Sequence, residues 1–207
     1  MSKDLVFYTN PRSRGRIVRW MLEEVGAPYE TEFVAYGEEM KGAGYRAINP
    51  MGKVPAIRHG ETVVSECAAI CAYMADSFPE AGLAPPPGER GSYYRWLFFA
   101  AGPVEAAVMD KAMGLEPDPD QQGMVGYGTF ALVMDVLQQA LAQGSYIAGD
   151  RFTAADVFLG SQINWGLQFG TMEARPGFAD YVARLTAREA FKRAAALDDA
   201  AMPAEAQ

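Results

Sequence analysis

The run Tyr8-Thr9-Asn10-Pro11-Arg12-Ser13-Arg14-Gly15-Arg16 lies where a short apolar strand pattern gives way to a helical one. A helix start presents unpaired backbone N–H groups and the positive end of the helix dipole, so it favours an anion. The same field holds a thiol in its ionised form. Ser13 stands at a candidate N-cap position, and Tyr8, Thr9 and Asn10 lie close by at the strand end. A hydroxyl that donates to a thiolate stabilises the charged form further. Without such chemistry Ser13 is a plain N-cap and Tyr8 a core aromatic. Arg12, Arg14, Arg16 and Arg19 crowd the same helix end, where cations are disfavoured. They either point to solvent or face an anionic ligand.

A second run, Asn49-Pro50-Met51-Gly52-Lys53-Val54-Pro55, puts a proline at the start of a strand after an extended residue. That context suits a cis Val54-Pro55 bond and leaves the Val54 backbone to pair with a peptide as an added strand; an ordinary trans turn is the alternative. A third run, Ser65-Glu66-Cys67-Ala68-Ala69-Ile70, opens another helix. A carboxylate and small polar groups there suit an amino-acid head group carrying both charges. The bland reading is a capping Ser65 with Glu66 favoured by the dipole. His59, the one histidine, falls at a hairpin tip and reads as surface. Cys67 and Cys71 are helix neighbours and read as reduced thiols; they have too few companions for a metal site, and no metal is expected. Trp165, Phe169 and Met172 read as helical core, with the lining of a pocket as the alternative.

The elements that position these runs follow from hydrophobic period. Residues 4–9 read as a buried strand that Pro11 ends. Ile17, Val18, Met21, Leu22 and Val25 form the apolar face of a helix stopped by Gly26 and Pro28. Residues 29–35 read as a strand and 37–48 as irregular, with room for one helical turn. Strands at 54–58 and 62–64 flank a hairpin at 59–61, and a helix follows from 67 to 78, with Ala68, Ile70, Cys71, Met74 and Ala75 on its buried side. This β-α-β-β-β-α order is that of a thioredoxin-like domain. Ala84-Pro85-Pro86-Pro87-Gly88 then reads as a stiff linker. Beyond it only helical patterns occur, near 90–114, 120–143, 154–169 and 177–198, followed by a loose tail from 202. Thr153-Ala154-Ala155-Asp156 is a capping box at the head of the third of these helices. The fold class is therefore α/β plus all-α: a thioredoxin-like N-terminal domain at 1–83, a linker at 84–89 and an all-helical domain at 90–207.

Half of the 207 residues are hydrophobic and the net charge is −8. This is a globular composition whose acidity argues against nucleic acid and anionic membranes as partners. No apolar run reaches the ~18 residues of a membrane-spanning helix. Met1-Ser2-Lys3-Asp4-Leu5 lacks an apolar signal core, so a cytoplasmic protein is expected.

Three stretches together resemble the glutathione transferase superfamily. FYTNPRSRGRIVRWMLEEVG resembles its first strand and helix. AINPMGKVPAIRHGETVVSECAAICAYMADSFP resembles the rest of its glutathione site, and YIAGDRFTAADVFLGSQINW resembles a helix of its C-terminal domain. The resemblance implies that Ser13 donates to the glutathione thiolate, as in serine-type classes, with Tyr8 and Asn10 as rivals. It implies that Val54, before a cis Pro55, pairs with the cysteinyl part, that Lys53 attracts the glycyl carboxylate, and that Glu66 and Cys67 hold the γ-glutamyl end. It further implies glutathione as co-substrate, a small hydrophobic electrophile as second substrate, a homodimer and a role in detoxification. Two departures stand out. Cys67 occupies a position that is often serine in the family, and a thiol is a weak donor. No cysteine lies near the first helix start, which puts cysteine-type thiol transfer in doubt. A glutathione-fold binding protein with little catalysis and a glutathione-dependent disulfide reductase are the alternatives.

Overall fold

A computed structural model describes residues 4–202; the expected loose tail falls mostly outside the described residues. The chain divides into two compact units, Met1–Leu83 with Ala187–Gln207, and Ala84–Thr186.

The first unit is built on a four-stranded sheet. Its strands are β1 (Leu5–Thr9), β2 (Glu30–Phe33), β3 (Ala56–His59) and β4 (Thr62–Ser65), in the order β2-β1-β3-β4. β1 runs parallel to β2 and antiparallel to β3, and β3 pairs antiparallel with β4. As a central strand, β1 buries Leu5, Val6, Phe7 and Thr9, which explains its nearly unbroken apolar run. The helices α1 (Gly15–Val25) and α4 (Cys67–Ser77) pack against each other. Phe7 and Ile57, paired in register, and Ile17, Met21, Ile70 and Met74 from these helices are fully buried. Ala68 and Val25, expected among them, are only half-buried. Gly26 ends α1 at φ +72, with its N–H on the Leu22 carbonyl. The stretch expected to be irregular holds two helical turns, α2 (Glu38–Lys41) and α3 (Ala43–Arg46). Their Met40 and Tyr45 join Val34 in a small cluster that also takes Tyr8, Ile48 and Val54.

His59 is not a surface tip. It closes β3 half-buried, with its ring stacked 5.6 Å from Phe78 and Nδ1 3.1 Å from the Tyr73 hydroxyl. The hairpin turn is Gly60-Glu61, one residue shorter than expected.

The second unit is helical: α5 (Gly91–Phe99), α6 (Glu105–Ala112), α7 (Phe130–Leu141), α8 (Ala154–Phe169) and α9 (Phe178–Thr186). Among the described residues no strand follows Ser65, and Tyr146 and Gly149 form a lone bridge. A π turn over Ala100–Val104 joins α5 to α6 around Pro103, which lacks the N–H a regular turn needs. α7 begins ten residues later than the helical pattern suggested. Gly123, Gly126 and Gly128 hold the preceding segment in turns, and the Thr129 hydroxyl caps the helix on the Leu132 N–H.

The apolar α8 is buried along most of its length. Phe169, expected in the core, ends it at 75% exposure, whereas Met172 folds back against Gly166 and is buried. The capping box forms. Its Asp156 carboxylate also accepts the Ile147 N–H and the Tyr181 hydroxyl, each at 2.8 Å. Burial still carries the Asp156 pKa above the usual carboxylate value against the pull of these bonds.

The helix expected at 177–198 breaks at Arg188, whose extended backbone starts α10 (Glu189–Ala200). At the break Arg188 grips Glu24 of α1 in a bidentate pair with two bonds of 2.7 Å. α10 thus packs on α1, in the first unit. No helix among the described residues is long and apolar enough to cross a membrane.

Candidate active site

Strand register brings the three chemical runs to one end of the sheet. Tyr8 pairs with Ala56, and Ala56 with Ser65. Asn10 beyond β1, Pro55 before β3 and Glu66 after β4 therefore leave the sheet at the same end.

Successive side chains of β1 point to opposite faces. Thr9 faces α1: a Cβ added to Gly15 would collide with the Thr9 hydroxyl, so only glycine permits this approach of helix to strand. The Thr9 Oγ1 is buried with no hydrogen-bond partner among the described residues. Tyr8 faces the other way. Its ring lies 6.0 Å from that of Tyr45, and the nearby Tyr8 raises the pKa of Arg58.

Ser13 sits half-buried just ahead of α1. The N-cap itself is Arg14, in helical conformation and making no side-chain cap. The Ser13 hydroxyl instead accepts the Gly15 N–H at 2.9 Å and donates to the Asn10 carbonyl at 2.6 Å. That carbonyl also accepts the Ser13 N–H at 3.0 Å. The Asn10 amide is spent on the loop: it donates to the Val34 carbonyl, and its Oδ1 accepts the Arg12 N–H, both at 3.0 Å.

Val54-Pro55 is cis, as expected. Lys53 is exposed, and its carbonyl accepts from the Tyr45 hydroxyl at 2.9 Å and the Asn49 amide at 2.7 Å. Gly52 takes φ +58 where a Cβ would meet the Met40 carbonyl at 2.8 Å, and the Lys41 ammonium bonds the Gly52 carbonyl at 2.6 Å. Sequence reasoning missed Lys41 and the anchoring role of the buried Asn49. The Asn49-Pro50 turn signal was the available clue for the asparagine.

Glu66, not Ser65, is the N-cap of α4, and its side chain makes no capping bond. It is exposed and is the described non-glycine residue with positive φ, +69. Such a conformation persists where its surroundings enforce it, often at ligand sites. Cys67 follows, half-buried, with its Sγ 3.8 Å from the Arg14 carbonyl, so the starts of α1 and α4 are neighbours. Cys71 is wholly buried, which pushes its thiol pKa well up. No group of side chains suited to a metal ion occurs among the described residues.

The arginines answer neither expectation cleanly. Arg12 and Arg14 are exposed. Arg19 is buried, with Nε 2.7 Å from Asp198 of α10 and its guanidinium 5.1 Å from the Phe7 ring centre. Arg16 bonds the Pro11 carbonyl and Asp199, each at 2.7 Å.

A family model described as glutathione S-transferase, N-terminal domain, matches residues 13–77. Glutathione transferase from Methylococcus capsulatus str. Bath superposes over 95% of this chain and 99% of its own, with TM-score 0.78 and 27% identity. The chain belongs to the glutathione S-transferase superfamily. A theta class glutathione S-transferase from Xanthomonas axonopodis pv. citri, solved with glutathione bound, is 26% identical over 94% of this chain and 98% of its own, with TM-score 0.72. Glutathione S-transferase GstA of Escherichia coli O157:H7 is 30% identical over 128 residues, 60% of this chain and 62% of that protein, so the match spans less than two thirds of that relative. The segment matched by the glutathione S-transferase family model holds Ser13, Lys53, Val54, Pro55, Glu66 and Cys67; Tyr8 and Asn10 precede it.

Proposed function

We propose that this protein binds glutathione at this end of the sheet and conjugates its thiolate to a small hydrophobic electrophile. The observation that carries the reading is the Ser13 hydroxyl, held at the start of α1 beside a carbonyl that keeps a second donor. When a thiolate arrives, the hydroxyl turns from the Asn10 carbonyl to the sulfur, and the Ser13 N–H continues to satisfy that carbonyl. The first-turn amides and dipole of α1 add to the stabilisation. Free glutathione should titrate near an ordinary cysteine, about 8.5. The sulfur lone pair forms the new S–C bond, and the leaving group departs with its bonding pair.

In this reading Tyr8 is packed against Tyr45, and Asn10 is a loop brace, so neither rivals Ser13. Val54 pairs its backbone with the cysteinyl part, beside Pro55. Lys53, with Lys41 near it, attracts the glycyl carboxylate. Glu66 takes the γ-glutamyl ammonium, while the α4 amides and Cys67 take its carboxylate. We further propose a metal-independent cytoplasmic homodimer with a detoxifying role. Its glutathione domain is 1–83 together with α10, and its helical domain runs from 90 to 186, with 84–89 between them. Exposed Phe98 and Leu132 in the helical unit support self-association.

Titration of the bound thiolate by its absorbance tests the assignment. Ser13→Ala should raise the thiol pKa by about one unit or more, with a smaller change in affinity. A shift in Tyr8→Phe but not in Ser13→Ala would transfer the role to the tyrosine. Binding without turnover on any electrophile would favour a binding protein, and turnover confined to a glutathione mixed disulfide would favour a reductase.

A further inference from the structure

We infer that Arg16 is a positioning residue for thiol activation, held in place by Asp199 near the end of the chain. The inference rests on the assignment of Ser13 above. A cation in the first turn of α1 opposes the helix dipole, so its presence there calls for a compensating contact, and Arg16 has two. Its Nε donates to the Pro11 carbonyl and an Nη to the Asp199 carboxylate, both at 2.7 Å. Pro11 lies between Asn10 and Ser13 in the loop that presents the hydroxyl. Proline has no N–H, so its carbonyl is the one backbone group by which that residue can be hydrogen-bonded. The rest of the loop is tied by Asn10 to Val34 and by the Tyr36 hydroxyl to the Arg12 carbonyl. Arg16 supplies the tie at Pro11.

Asp199 can orient this guanidinium because α10 is itself fixed on α1. Asp198, its chain neighbour, pairs with buried Arg19, Arg188 grips Glu24, Arg193 reaches Glu23 at 3.1 Å, and the Trp20 ring meets Phe191 edge-on at 5.1 Å. A planar fork serves two acceptors in fixed directions, which a lysine ammonium cannot reproduce from the same stem. The exposed Arg16–Asp199 pair contributes little to stability by itself; its effect is on where the loop stands. A donor displaced by a fraction of an ångström from the sulfur loses much of its hydrogen bond.

The test uses the full chain and reduced glutathione, reading bound-thiol pKa with a melting curve for each variant. Arg16→Lys preserves charge and should still raise the pKa by roughly half a unit. Asp199→Asn should move it in the same direction by less. In a Ser13→Ala background Arg16→Lys should add nothing, because the arginine acts through the serine. A silent Ser13→Ala would overturn the functional assignment and this inference with it. A shifted Ser13→Ala beside an unshifted Arg16→Lys would overturn the inference alone. An Arg16→Lys shift of undiminished size in the Ser13→Ala background would also overturn it, because the arginine would then act on the thiolate without the serine. A wild-type value for Asp199→Asn would remove α10 from the device.

Discussion

Ser13 and Cys67 lie at the starts of two helices whose ends touch, and their chemistry differs by one atom. The Ser13 oxygen is a strong donor and acceptor already engaged in the loop; the Cys67 sulfur is a weak donor, 3.8 Å from the Arg14 carbonyl. The two thiols of the chain should also separate in reactivity. Alkylation of the native protein should label Cys67 and spare buried Cys71, whose thiol pKa burial holds well up. Saturating glutathione should slow the labelling of Cys67 several-fold, as followed by mass spectrometry. Equal rates with and without glutathione would move the γ-glutamyl end away from α4. The residues proposed for the site were legible in the sequence because each sits at a strand-to-helix junction or beside a proline, where polar side chains have a visible reason to stand. The direction of Tyr8 was not legible. A strand side chain has two faces available, and only the pairing with β3 and the packing of Tyr45 decide between them.

α10 shows what local periodicity cannot convey. Arg19 looks like one more charge on the helix that follows β1, yet it is 3% exposed and its partner Asp198 is fully buried, 179 residues away. Nothing in either neighbourhood announces that pairing. Its consequence for stability is large, because removal of one partner strands the other charge out of water. Arg19→Met should cost about 3–5 kcal/mol, measured by denaturant unfolding. A loss below about 1 kcal/mol would mean that the pair is solvated like a surface bridge. The break at Arg188 was equally hidden: a helical pattern ran through it in the sequence, and the residue there pairs with distant Glu24. The late start of α7 was less hidden, since three glycines precede it.

For the chain as a whole, the order of strands and helices was readable because period two stops at Ser65 and helical spacing takes over. The grouping of residues after Ala187 with the first unit was not, since it depends on contacts between distant segments. The first unit also carries an alkaline limit. Burial raises Tyr29 and Tyr45 from 10.0 to about 12, helped at Tyr29 by its bond to Glu23 and at Tyr45 by the charge of Tyr8. A folded-state pKa above the unfolded value means that the folded form holds the proton more tightly. The stability from these phenols is fully present below pH 10 and is lost as pH rises through about 12. Unfolding free energy should therefore fall across that interval, and Tyr29→Phe and Tyr45→Phe should each make the fall shallower. An unchanged slope in both variants would assign the alkaline limit to other groups.

The contact between Gly15 and Thr9 bears on how such sequences drift over evolutionary time. With a glycine pressed on a β-branched side chain, neither position is free to change by itself. A methyl at 15 must push the strand and helix apart, at the place where the proposed thiol donor is held. A bulkier residue at 15 becomes admissible only after position 9 has first lost its side chain's outer atoms. The two sites should therefore be inherited as a correlated pair, with trimming at 9 preceding growth at 15 along any lineage that departs from this combination.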